Sequence, residues 1–140
     1  MANETVFRRY ENNPVVTAAN VPRANSIHNS AIIRRGESYS GVFRVDQIDM
    51  TYRLHVGYSR DGIAWNIDPD YIRMQQPIEG VEQSDWSYDP RLQEIDGVYY
   101  LTWCNSCKQG PQIGLARTAD FETFIQMENP FQPPNRNAVL

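Results

Sequence analysis

The feature that most limits what this chain can fold into is a repeat with a fixed interval. Short runs rich in Val, Ile, Tyr, Phe and Trp, closed by Gly, Asp, Asn or Pro, fill the chain from Ala31 onward, the pattern of strands and not of helices. Ala31 to Arg35 and Ser38 to Val45 flank Arg35-Gly36-Glu37, and Arg91 to Ile95 and Val98 to Asn105 flank Asp96-Gly97, so two glycine-turn hairpins are predicted. Each is followed by a third strand, Leu54 to Asp61 or Ile113 to Asp120, then a polar turn and an aromatic. Ser59 and Thr118 are separated by 118 − 59 = 59 positions, and Asp61 and Asp120, and Trp65 and Phe124, by the same interval.

A sixty-residue unit of four antiparallel strands, with an aromatic after an Asp turn, describes one blade of a β-propeller, the aromatic packing between neighbouring blades. Any all-β protein has glycine turns and aromatic strands, so the matched interval is what favours the propeller. At 140 residues the chain holds about two blades, whereas propellers close with roughly four to eight. The expectation is therefore an N-terminal part of a single propeller domain spanning 1–140, a fragment whose last run, Asn135 to Leu140, reads as a strand without its partner. A homo-oligomer that covers the open blades is an alternative arrangement.

A 41 % hydrophobic content supports a core and argues against disorder. The formal charge of −4 and the pI near 5.1 disfavour nucleic acid and anionic membrane as partners. No stretch has the make-up of a signal peptide or the length of a membrane span, and a cytoplasmic setting is the expectation. Cys104 and Cys107 are the only cysteines and are expected to be thiols. Their spacing would suit half a zinc site or a redox pair, but only His28 and His55 are at hand to complete a metal shell. The plainer reading packs Cys104 as a small hydrophobe and presents Asn105 to a ligand; no metal is expected.

Three segments carry candidate chemistry. In Ser84-Asp85-Trp86-Ser87-Tyr88-Asp89-Pro90-Arg91-Leu92, Pro90 biases Asp89 toward an extended backbone that would turn its carboxylate into open space. The bland alternative makes Asp89 a turn cap with Arg91 as its surface ion-pair partner. Ile27-His28-Asn29-Ser30-Ala31, followed by Phe43-Arg44-Val45-Asp46, offers amide, hydroxyl, guanidinium and carboxylate groups suited to holding several sugar hydroxyls; singly, Asn29 and Ser30 also read as turn residues and Arg44 as solvated. Pro133-Pro134-Asn135-Arg136-Asn137 sets one Arg between two amides, a fork able to hold phosphate or else an ordinary loop arginine.

With Tyr88-Asp89-Pro90-Arg91, Gly110-Pro111-Gln112-Ile113-Gly114-Leu115-Ala116, Asp120-Phe121-Glu122-Thr123-Phe124 and Asn135 to Leu140 in order, the chain resembles glycoside hydrolase family 130 over nearly its whole length. Trp103-Cys104-Asn105 and the Asn-Arg-Asn loop look most like its branch of 4-O-β-D-mannosyl-D-glucose phosphorylases, cytoplasmic enzymes with a five-bladed propeller. The resemblance implies inverting phosphorolysis of a β-1,4-mannoside to α-mannose 1-phosphate, with inorganic phosphate as co-substrate and no cofactor. It implies Asp89 as the general acid, delivering its proton through the mannose 3-hydroxyl. Asn29, Ser30 and Arg44 would line the mannose subsite, Asp46, Tyr88, Arg91 and Asn105 are further substrate-binding candidates, and Arg136 and Asn137 would meet phosphate.

One acid is enough when the nucleophile arrives already anionic, whereas an inverting hydrolase needs a second carboxylate to activate water. Full family members are more than twice as long and supply further basic phosphate ligands, so the site is expected to be only partly assembled here and phosphorolysis by this chain alone is not expected. Two other functions fit the same groove: a non-catalytic β module that binds carbohydrate or protein, and a β-mannoside hydrolase of the same family.

Overall fold

The computed structural model describes residues 7–75, 78, 85–131 and 134–135. Its strands are β1 (Ala24–Arg35), β2 (Ser38–Gln47), β3 (Tyr52–Ser59), β4 (Asn66–Tyr71), β5 (Met74–Gln75), β6 (Ser87–Ile95), β7 (Val98–Cys107), β8 (Gly110–Thr118) and β9 (Phe124–Met127). Among the described residues the helical structure is one 3-10 turn, Ala18–Asn20. The first sheet is an antiparallel meander in the order β1-β2-β3-β4, and the second runs β5-β9-β8-β7-β6. Gly36 and Gly97, at φ +59° and +77°, make the two predicted hairpin turns, a conformation that glycine adopts without steric cost.

The polar turn is where the repeat is most literal. Ser59 Oγ accepts from the backbone N–H of Gly62 at 2.8 Å, and Asp61 Oδ1 from those of Ile63 and Ala64, each at 2.8 Å. Thr118 Oγ1 accepts from Phe121 N–H at 2.9 Å, and Asp120 Oδ1 from Glu122 and Thr123 N–H, each at 2.8 Å. A hydroxyl and a carboxylate two residues apart thus replace the strand ladder at the same place in both blades.

Departures from the four-strand unit occur at the ends. β1 begins at Ala24, seven residues before the predicted strand, because pairing with β2 extends a polar segment that has no strand pattern of its own. The third strands stop at Ser59 and Thr118, since the following Asp belongs to the turn. β5 lies parallel to β9, which adds a fifth strand to the second sheet as the chain passes between blades.

Alternation along β2 builds two cores. Val42 faces the second sheet and joins Leu54, Val56, Leu101, Trp103, Ala116, Phe121 and Phe124 in the layer between the blades. Phe43 and Val45 face the other way, onto Val21, Trp65 and Ile67. Phe124 therefore packs between the two blades as expected, whereas its repeat partner Trp65 meets Phe43 edge-on at 5.0 Å on the opposite face of the first blade. Gly41 and Gly57 stand opposite each other under Phe43, and a Cβ on Gly57 would lie 2.6 Å from that ring.

Candidate functional site

Val42, Arg44 and Asp46 share one face of β2, so the face that is apolar in the middle of the strand becomes ionic toward its end, beside β6 of the next blade. β1 and β6 are the first strands of their blades; besides a shift at the start of β1, between Ala24 and Ser26, register breaks between His28 and Ala31 and between Tyr88 and Arg91. Asn29, at φ +48°, and Asp89, at φ +53°, occupy these bulges, 89 − 29 = 60 positions apart. Asn and Asp tolerate left-handed backbone better than other non-glycine residues, and a bulge re-aims the side chain it carries. The expectation that Pro90 holds Asp89 extended is corrected here: the bulge, with its positive φ, turns the carboxylate.

The two bulge side chains meet. Asn29 Nδ2 donates to Asp89 Oδ1 at 2.9 Å, and Arg44 Nη1 donates to the same oxygen at 3.0 Å. Arg44 also forks onto Asp46, with Nε to Oδ1 at 2.7 Å and Nη2 to Oδ2 at 3.1 Å. Among the described residues, Oδ2 of Asp89 takes none of these bonds. Arg44, Asp46 and Asp89 keep 14 %, 16 % and 18 % of their side-chain surface exposed, so the cluster is sheltered yet open to a solute. Tyr52 and Tyr88 cover the guanidinium, whose carbon lies 4.8 Å and 5.3 Å from their ring centres.

Burial works to raise the pKa of Asp89, but the hydrogen bonds from Asn29 and Arg44 and the charges of Arg44 and Arg91 outweigh it and hold the carboxyl below its ordinary value. Burial likewise opposes the charge on Arg44, and its bonds to Asp46 and Asp89 raise its pKa all the same. The cluster by itself is thus an ion network with Asp89 ionised at neutral pH.

The sequence candidates divide by position. Asn29, Arg44, Asp46, Tyr88 and Asp89 come together, and Ser30 is an exposed neighbour in the first bulge. The ion-pair partner of Asp89 is Arg44, not Arg91, whose Nη1 donates to Pro90 O at 2.8 Å. Asn105 is absent from this group: it is buried, its Oδ1 accepts from Ser87 Oγ at 2.8 Å and Trp103 Nε1 at 2.6 Å, and it lines a separate cavity of about 300 Å³ with Arg53, Tyr71, Arg73 and Asp85. Arg136 and Asn137 lie outside the described residues. Cys104 is fully buried, and it and Cys107 are thiols.

Sequence reasoning missed His28 as a site neighbour, its Nε2 lying 3.6 Å from Asp46 Oδ2, and missed Tyr52 altogether. Register with β2 would have found both, since His28 pairs with Arg44 and Tyr52 with Asp46.

A family model described as beta-1,4-mannooligosaccharide phosphorylase matches residues 2–139. The chain belongs to glycoside hydrolase family 130. A β-1,4-mannooligosaccharide phosphorylase of Ruminococcus albus is 44 % identical over 142 residues, covering 96 % of this chain and 42 % of the relative, so the chain spans less than half of that protein's length. Among solved structures, a glycosyl hydrolase from Bacteroides ovatus superposes with a TM-score of 0.75 at 17 % identity, covering 89 % of this chain and 41 % of the other. The β-1,2-mannobiose phosphorylase of Listeria innocua does so with a TM-score of 0.69 at 17 % identity, covering 89 % and 51 %. These likenesses establish the fold: the two sheets are about two blades of the five-bladed propeller of family 130.

Proposed function

We propose that this chain supplies the acid and the mannose-facing part of a site for inverting phosphorolysis of β-1,4-mannosides, such as mannooligosaccharides or mannosylglucose. The observation that carries the reading is the convergence of Asn29 and Arg44 on a single oxygen of Asp89, which leaves Oδ2 for a sugar hydroxyl. Asn29, Ser30, Arg44, Asp46 and Tyr88 take the mannose unit, Arg91 and Asn105 serve it from farther off, and Arg136 and Asn137 hold phosphate. A phosphate oxygen bonds to the anomeric carbon from the face opposite the leaving sugar as the glycosidic C–O bond breaks. The proton of Asp89 passes through the mannose 3-hydroxyl to the departing oxygen, giving α-mannose 1-phosphate and a free sugar. No metal or organic cofactor takes part, and the proposed setting is the cytoplasm.

An acid must hold a proton, and the bonds from Asn29 and Arg44 favour the ionised form of Asp89. Bound sugar excludes water from around the carboxyl, and the phosphate anion adds negative charge nearby; both raise its pKa, so the acid form belongs to the ternary complex. Asp46 has both oxygens engaged by Arg44, which supports phosphorolysis over a hydrolase in which a second carboxylate activates water.

The test uses the protein expressed from its native reading frame. With β-1,4-mannobiose or mannosylglucose, α-mannose 1-phosphate is expected only when phosphate is supplied. Asp89→Asn is expected to lower kcat by about 10²–10⁴-fold while sugar binding is kept. Equal mannose release without phosphate would mark a hydrolase, and binding without turnover in the wild type would mark a carbohydrate-binding module.

A further inference from the structure

Arg44 and Asp89 belong to different blades, so their 3.0 Å contact is only as constant as the relative placement of the two sheets. At this end of the blades the sheets are joined through a few residues. Tyr52 N–H donates to Asp85 O at 3.1 Å, and Tyr52 forms a parallel bridge with Trp86. Arg53 Nη1 meets Asp85 Oδ1 at 2.8 Å, and Trp86 Nε1 donates to Met50 O at 3.1 Å. The backbone of Tyr52 is therefore bonded to the second blade while its ring lies over the guanidinium of the first.

That ring is placed to do more than fill space. It meets Tyr88 edge-on at 6.1 Å, and Tyr88, next to Asp89, contacts the same guanidinium. Arg44 can rotate its fork away from Asp89 only by leaving an aromatic face, which costs the cation–π attraction. We infer that Tyr52 is a positioning residue: its backbone stitch to Asp85–Trp86 and its ring on Arg44 together fix the angle at which the guanidinium of one blade addresses the carboxylate of the next. The inference rests on the proposed phosphorolysis and concerns a residue that touches neither sugar nor phosphate in that reading. The ring is what matters, not the hydroxyl.

Three variants of the native-frame protein test this by kcat, KM and the pH profile of kcat. Tyr52→Phe keeps the ring and is expected to stay within about twofold of wild type. Tyr52→Leu is expected to lower kcat by about tenfold, a free-energy change within the usual range for a desolvated cation–π contact. Its KM for phosphate should be unchanged, and the basic limb of its profile should move to higher pH as Arg44 loosens its hold on the Asp89 carboxylate. Trp86→Phe removes the indole bond to Met50 at a half-exposed site and is expected to lower kcat by about threefold, with Tm held.

If Tyr52→Leu matches Tyr52→Phe in both kcat and pH profile, the inference is overturned. If Tyr52→Leu does not fold, Trp86→Phe decides: wild-type kcat and an unmoved basic limb overturn the inference, and the threefold loss upholds it. An inactive wild type, by contrast, would count against phosphorolysis itself.

Discussion

Replacing Arg44 with Met keeps much of the side chain's bulk and removes the charge that three contacts share. Asp46 would lose both of its hydrogen bonds from Arg44, and Asp89 one of the two on its Oδ1. Removing one partner of a fully buried ion pair costs about 3–5 kcal/mol, because a charge is left without compensation. Here the carboxylates retain 16 % and 18 % exposure, so water recovers part of that loss and about 2–3 kcal/mol is expected at pH 7.

The dependence on pH separates charge from packing. Asp89 has a depressed pKa in the folded state, so its contribution to stability is present above the ordinary carboxylate value and is lost as pH falls through the folded one. The gap between wild type and Arg44→Met should therefore be widest near neutral pH and shrink as pH falls below the ordinary carboxylate value and through the depressed pKa of folded Asp89. Urea melts across that range measure it. A gap that stays constant with pH would show that lost packing, not lost charge, is responsible, and would refute the ion-network account.

Other expectations follow from the same contacts. His55 is buried and its pKa is lowered, chiefly by burial, against the raising effects of the Asp68 carbonyl and the charges of Asp68 and Asp70. A lowered His pKa means that the unfolded chain takes up the proton first, so stability should fall as pH drops below about 6.5, and His55→Gln should flatten that part of the Tm profile. Gly57→Ala drives a methyl into the ring of Phe43 and should cost about 1–3 kcal/mol by chemical denaturation. Asp61→Ala and Asp120→Ala each free two backbone N–H groups at the matching turn, and should lower Tm by similar amounts if the repeat is as regular in energy as in geometry.

Much of this architecture could be read from residue order because its signals are local. Gly36 and Gly97 fix hairpins within a few residues, and the Ser/Thr-x-Asp turn recurs at a constant interval because each blade must close its third strand in the same way. The outer strands of the first sheet are harder to read. Ala24 to Ser30 has no alternation of its own and becomes strand only through β2, and Asn66 to Tyr71 contains Asp68-Pro69-Asp70, which an edge strand tolerates and a central one would not. For the site, the residue types of Asn29, Arg44, Asp46 and Asp89 pointed to sugar chemistry, and family resemblance gave them roles. That Arg44 and not Arg91 pairs with Asp89 depends on how two sheets meet, which no window of sequence contains. Tyr52 was invisible for the same reason, since a tyrosine between Thr51 and Arg53 looks like any strand aromatic.

The central claim is that Asp89 provides a proton to a poor leaving group. The most direct measurement compares Asp89→Asn with wild type on two substrates, β-1,4-mannobiose and a β-mannoside whose nitrophenolate leaves without protonation. The account predicts that the substitution slows phosphorolysis of mannobiose by about 10²–10⁴-fold and that of the activated mannoside by less than about tenfold. Equal losses on both substrates would contradict it, because a group that donates no proton has no reason to distinguish a sugar alkoxide from a phenolate.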